Sequence, residues 1–201
     1  VARIRILYEK KGLFTFVNHL DLPVVMSRAA KRAGLRQEFT AGFSPHPRIS
    51  LAPPLATGVE GLAEPADFWF DEWNEKSLFR WNARLPKGLK ILKYAEITEE
   101  KVLAKSIDAA LYSFAGARAA LGAEAKEAVA SEARRRGALY RCDFDGGVVT
   151  LAAGELERCG AGPLVKALIA AEIVAGWSEL RIARLAVGRW DEESKSVLPL
   201  I

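Results

Sequence analysis

Two histidines, His19 and His46, are the only imidazoles in the chain, and both lie in its first quarter beside a run of arginines. His19 falls in FTFVNHLDL. His46 stands between Pro45 and Pro47 in TAGFSPHPRISLAPPLATGVEG, residues 40–61, and is followed by Arg48 and Ser50. An imidazole pair can serve as base and acid in RNA transesterification, with Arg48 or Arg32 stabilising the phosphorane. The same groups can instead hold phosphate without reacting. A guanidinium offers a bidentate fork and a serine hydroxyl a neutral donor. The plain structural alternative has His19 organising a helix entry and His46 bonding loop backbone. A metal site would need His19, His46 and Asp21 or Glu60 to converge from separate elements, and no metal or cofactor is expected.

The loop around His46 is stiff. Each proline fixes its own φ and pushes the residue before it out of the helical region, so His46 is held extended. Gly42 and Gly58 mark turns or close approaches. Upstream, Arg28, Lys31, Arg32 and Arg36 lie on or just after one predicted helix, and Arg134-Arg135-Arg136 closes another. Each cluster reads either as a solvated helix end, where cations complement the dipole, or as a phosphate-contacting patch. Asp21, Glu60, Glu64 and Asp67 are candidate neutralisers of the first cluster. The aromatic run FWFDEW reads as core and sheet face rather than a stacking platform.

Much chemistry lacks its parts. The chain has no GxxxxGK[ST] loop, no GxGxxG between strand and helix, no HExxH and no GxSxG elbow. Its two cysteines, Cys142 and Cys159, are not at metal spacing and are too few for a disulfide framework. They read as structural thiols in a reducing cytoplasm. The 201 residues carry a net charge of +4 and are half hydrophobic, which suits a globular chain with a mild bias toward anions. No apolar run reaches the roughly 20 residues a membrane span needs. The chain begins at Val1, so a trimmed start is expected, and no secretory signal.

The elements that must position these residues follow from periodicity. RIRILYEKKG alternates as a strand. A helix runs from about Asp21 to Ala33, with Asp21 as N-cap, Pro23 in the first turn and Gly34 as stop. RISLAPPLATGV reads as an edge or bulged strand because of its prolines. ADFWFDE is a strand, EKSLFRWNARL a helix and LKILKYAEI a strand. The order β-α-β-β-α-β then repeats through DAALYSFAG, AEAKEAVASEARRRG, the ALYRCDF–GVVTLAAG hairpin, GPLVKALIAAEIV and ELRIARLAVGRW. The expected fold is α+β, two tandem ferredoxin-like units. Residues 1–96 form the first, 97–106 the linker and 107–201 the second.

The stretches FTFVNHLDLPVVMSRAAKRAGL and TAGFSPHPRISLAPPLATGVE resemble a bacterial family of unknown function, the radical SAM-linked proteins. The matching positions include Phe16, His19, Asp21, Leu22, Arg28, Arg32, Ala33, Gly34, Leu35, Gly42, Phe43, Pro45, His46, Pro47, Arg48, Ser50, Ala52, Pro54, Leu55 and Gly58. Asn18, Thr40 and Ser44 depart from the pattern conservatively; Gly61 and Pro65 lose a serine and an aromatic. The resemblance implies a helper encoded beside or fused to a radical SAM enzyme, in RNA modification or processing. The chain itself lacks the three-cysteine cluster motif. The expected function is an accessory RNA-binding or substrate-presenting module using His19, Arg28, Arg32, His46, Arg48 and Ser50, partnered by a radical SAM protein. The alternative is a metal-independent endoribonuclease using His19 and His46.

Overall fold

The computed structural model describes residues 1–99 and 101–201. The first half holds β1 (Ala2–Lys10), a 3-10 turn (Gly12–Phe16), α1 (Leu22–Arg32), β2 (Ile49–Leu51), β3 (Glu60–Phe70), α2 (Glu75–Asn82) and β4 (Leu89–Glu96). The second holds β5 (Ala109–Gly116), α3 (Glu124–Arg135), β6 (Leu139–Asp145), β7 (Val148–Ala153), α4 (Ala161–Ala170), β8 (Leu180–Asp191) and β9 (Ser196–Pro199). The fold is mixed α+β. In each half the first strand lies between the third and fourth, the second strand lies outside the third, and every pairing inside the half is antiparallel.

The two expected four-stranded sheets are parts of one nine-stranded sheet, in the order β4-β1-β3-β8-β5-β7-β6. The join is a short parallel pairing of β3 with β8, at Glu60↔Ala183 and Gly61↔Arg184. The ninth strand, β9, doubles back antiparallel on β8 and was not anticipated from the pattern. LFTFV, which by sequence either prolongs the strand pairing or forms the approach to the helix, takes the second course, with residues 13–16 in the 3-10 turn. That turn closes against Gly88, whose φ is +91° and where an added Cβ would lie 2.5 Å from the Lys11 carbonyl oxygen. Only glycine fits both demands.

Alternation along β1 sorts its side chains. Ile4, Ile6 and Tyr8 join a core with Leu22, Met26, Ala29 and Ala30 of α1 and with Phe68, Phe70 and Trp81. Trp81 is fully buried, stands edge-on to Phe68 and donates its indole N–H to the Met26 carbonyl at 3.1 Å. Burying an indole of this kind is worth about 4–6 kcal/mol by transferred area, so it pins α2 to α1. A second core fills the other half with Tyr112, Phe114, Val149, Leu151, Leu164 and Leu168. Ala52 and Val59 from the first half reach into it.

The opposite β1 face carries Arg3 and Arg5, and it is covered rather than solvated. Residues 97–99 and 101–106 of the segment expected as a linker lie over it. Leu103 is fully buried, and Arg3 donates to the carbonyls of Glu99 and Lys101 at 2.7 and 2.8 Å. Glu100, inside that segment, lies outside the described residues. Pro65 sits mid-strand in β3 without breaking the ladder. β3 pairs with β8 at 60–61 and with β2 at 66–68, so residue 65 falls between the two partners. Its carbonyl accepts from Ala52 N–H on that side, and its nitrogen faces the same gap.

Candidate nucleic-acid interface

The loop from Gln37 to Arg48 is a short hairpin hung on the edge of β3. Glu38 N–H donates to the Trp69 carbonyl at 2.9 Å, Arg48 N–H to the Glu38 carbonyl at 2.8 Å and Thr40 N–H to the His46 carbonyl at 2.8 Å. Isolated bridges Gln37↔Phe70 and Phe39↔Pro47 complete the ladder. The Thr40 hydroxyl accepts from His46 N–H and lies 3.2 Å from His46 Nδ1. With two prolines flanking it, His46 is fixed by its own loop. The tip, residues 41–45, is exposed, and Phe43 stands wholly in solvent.

One wall of the hairpin faces α1. A cavity of about 430 Å³ is lined by Pro23, Val24, Ser27 and Arg28 from α1 and by His46, Pro47, Ile49 and Leu51 opposite. A neighbouring cavity of about 720 Å³ shares Ser27, Arg28 and Pro47, and adds Lys31, Arg36, Gln37, Phe39 and Asp71. The two form one groove along α1. Arg28, Lys31 and Arg36 face a single carboxylate, Asp71, so the groove favours an anion. Among the described residues none of these three cations enters an ion pair.

The expected site is therefore divided. Arg28 and His46 meet in the groove. Arg48 and Ser50, on the strand face opposite Ile49 and Leu51, line a separate cavity of about 560 Å³ with Arg3 and Trp69. Arg48 is bound to Glu38 at 2.9 Å and lies over the Trp69 ring at 4.4 Å, with Arg3 also near that ring at 5.1 Å. Arg32 reaches the other way and donates to the Arg84 carbonyl at 2.9 Å. The proposed neutralisers are committed elsewhere. Asp67 holds Arg3 and Arg5, Glu64 holds Arg184, Asp21 accepts from the Asn18 amide, and Glu60 accepts from Gly12 N–H. Asp21 occupies the N-cap of α1 as expected but makes no capping bond; the Asn18 carbonyl oxygen of the side chain accepts from Leu20 and Asp21 N–H instead. The Arg134–Arg136 run is largely satisfied locally, since Glu132 takes both Arg135 and Arg136.

His19 belongs to another neighbourhood. It is half-buried between the 3-10 turn and α1, near Arg184, Lys10 and Glu64. Burial lowers its pKa from the usual histidine value; Arg184 and Lys10 act in the same direction and Glu64 opposes them. The folded pKa lies below the unfolded one. His19 therefore contributes stability that is present above about pH 6.5 and lost as pH falls into the window between the two values. Urea midpoints across pH 5–8 should show this loss, and His19→Gln should remove that part of it. An unchanged pH profile in His19→Gln would show that the ring is not the titrating group.

Sequence reading missed the groups around His19. Lys10 is buried at 2% exposure and donates to the Val17 carbonyl at 2.6 Å. Arg184, at 1%, is held by Glu64 and by the carbonyls of Pro53 and Pro54. Both lie in strands, where a lone cation reads as outward-facing. Ser27 and Gln37 were also missed, and both line the groove. The two thiols are raised by burial, Cys142 to about 11, which keeps them protonated at neutral pH.

Fold and groove together define a mixed α+β protein with a cationic cleft between its first helix and a proline-stiffened hairpin. The chain belongs to a bacterial family described as "Uncharacterized protein conserved in bacteria (DUF2344)", whose profile matches residues 3–147. No curated protein matches it. Among solved structures, one assigned to a glycine cleavage system transcriptional repressor aligns over 91% of this chain and 98% of its own. It does so at 10% identity and a TM-score of 0.25, a likeness that carries no weight for fold or function.

Proposed function

We propose that this protein is a noncatalytic accessory module that binds single-stranded RNA, or presents an RNA substrate, to a radical SAM partner. Its two β-α-β-β-α-β halves are read as tandem ferredoxin-like units, with the first carrying the contact surface. The observation that supports the reading is the groove in which Arg28, Lys31 and Arg36 stand beside His46 against one carboxylate. Cations without protein partners on a preset surface are what phosphate contact requires. Arg48 and Ser50 extend the reading to the adjoining cavity, where Trp69 supplies a ring. The radical SAM partner rests on the resemblance of the His19–Gly58 signature alone.

The test is a titration of a short labelled single-stranded RNA at several salt concentrations. Three phosphate contacts give a slope of log K on log salt of about −2, at about −0.7 per contact. Arg28→Ala, Lys31→Ala and Arg36→Ala should each reduce that slope by about 0.7. Arg32→Ala should change it least of the arginine series, because its guanidinium is spent on the Arg84 carbonyl. Absence of binding at low salt removes the proposal. Cleavage of the RNA that disappears in His19→Ala or His46→Ala would assign the endoribonuclease in its place.

A further inference from the structure

We propose that the smaller cavity of the groove is a base pocket: it takes one heteroaromatic base, with the attached phosphate lying along Arg28, Lys31 and Arg36. This rests on the RNA-binding reading and names what the groove holds. The cavity, about 430 Å³, falls in the range of small-ligand sites. Its walls are mostly apolar: Pro23, Val24, Pro47, Ile49 and Leu51. Both sides are fixed beforehand, one by α1 and the other by the hairpin ladder and its prolines. A ring entering the slot therefore loses its own freedom but orders no protein.

Two polar atoms set the chemistry of the occupant. Ser27 is only 9% exposed and among the described residues its hydroxyl has no hydrogen-bond partner, although the residue lies in the wall common to both cavities. The amide nitrogen of Gln37, in the wall of the larger cavity, is likewise buried without a partner. Buried polar atoms are almost always paired; among the described residues four side-chain atoms are not, and besides the indole nitrogens of Trp73 and Trp190 these are the two on residues of this one groove, which points to a ligand that completes them. In the slot the Ser27 hydroxyl can donate or accept, which suits the edge of a nucleobase, while the Gln37 amide nitrogen lies in the larger cavity and can donate to the sugar-phosphate side. An alkyl chain would fill the slot and leave the Ser27 hydroxyl unsatisfied. The three cations beside the slot supply the other half of the specificity, an anion a short reach from the ring. Ring and phosphate joined in this way describe a nucleotide unit, either free or as one position of a strand.

The experiment compares the intact protein's affinity for oligoadenylate and for an abasic oligonucleotide of equal length and phosphate count. The abasic strand should bind at least about tenfold more weakly at one salt concentration, with an unchanged salt slope. Val24→Trp, at the exposed rim of the slot, should erase the difference while keeping the slope. Ser27→Ala, which removes only an unpartnered hydroxyl and leaves the helix intact, should narrow the difference. Equal binding of the two strands overturns the base pocket and leaves the phosphate groove standing. A difference that survives Val24→Trp places the base elsewhere and also overturns it. Binding of neither strand overturns the pocket and the RNA reading together. Adenosine monophosphate is the remaining arm: competition at micromolar levels assigns the pocket to a free nucleotide, and failure to compete assigns it to a strand.

Discussion

Glu64→Gln destabilises the protein by about 3–5 kcal/mol, read as a fall in the urea midpoint with little change in slope. Glu64 is the carboxylate among three buried or half-buried basic groups, Arg184, Lys10 and His19. Its ion pair with Arg184 is 1–2% exposed on both sides. Removing the charge leaves a guanidinium and an ammonium in a buried site whose remaining acceptors are backbone carbonyls and the Tyr112 hydroxyl, all neutral. Arg184→Met should cost less, because Lys10 remains as a counter-charge for Glu64. Replacing both, Arg184→Met with Glu64→Leu, should recover part of the loss. A Glu64→Gln variant within 1 kcal/mol of the parent would mean that water reaches this cluster.

Asp67→Ala is the second large effect, again about 3–5 kcal/mol. The Asp67 carboxylate is fully buried and takes four hydrogen bonds, two from Arg3 and two from Arg5. Both arginines are themselves nearly buried, at 11% and 7%. Without the carboxylate, two guanidiniums of like charge face each other under the 97–106 segment. Arg3 also anchors that segment through the Glu99 and Lys101 carbonyls. Amide exchange at residues 101–106 should therefore quicken in the variant by more than global unfolding explains. Unchanged exchange there would show that Leu103 alone holds the segment down.

The strand and helix order was legible because its signals are local. Period-two alternation marked β1, and Pro23 and Gly34 bracketed α1. The DGG turn marked the β6–β7 hairpin. What escaped depends on partners distant in sequence. Nothing near Ser196–Pro199 says that β8 has a free edge for it. Pro65 reads as a strand breaker until two different neighbours leave a gap at its nitrogen. Of the candidate site, the meeting of Arg28 and His46 was readable from a cationic helix followed by a stiff loop. The separation of Arg48 and Ser50 from His46 was not readable, since alternation would put residues 46, 48 and 50 on one face, whereas His46 lines the groove with Pro47, Ile49 and Leu51. Nor were Lys10, Arg184 and the two orphan polar atoms. A cation in a strand looks solvent-facing unless the carboxylate that buries it is known, and Glu64 is 120 residues from Arg184.

That same separation sets the order in which the molecule can be finished. The β3–β8 seam joins residues 60–61 to 183–184, and the Glu64–Arg184 pair locks it from the side. Every other strand pairing closes within one half, over a shorter loop. On the ribosome the first half emerges with the free flank of β3 and the Glu64 carboxylate uncovered, and both stay so until Arg184 has been made, 120 residues after Glu64. Closing so long a loop comes after the local pairings have formed, so the seam is a late event of folding. Contacts made that late hold the native state shut rather than speed its arrival. The one continuous sheet thus makes the durability of the first half depend on a strand translated long after it.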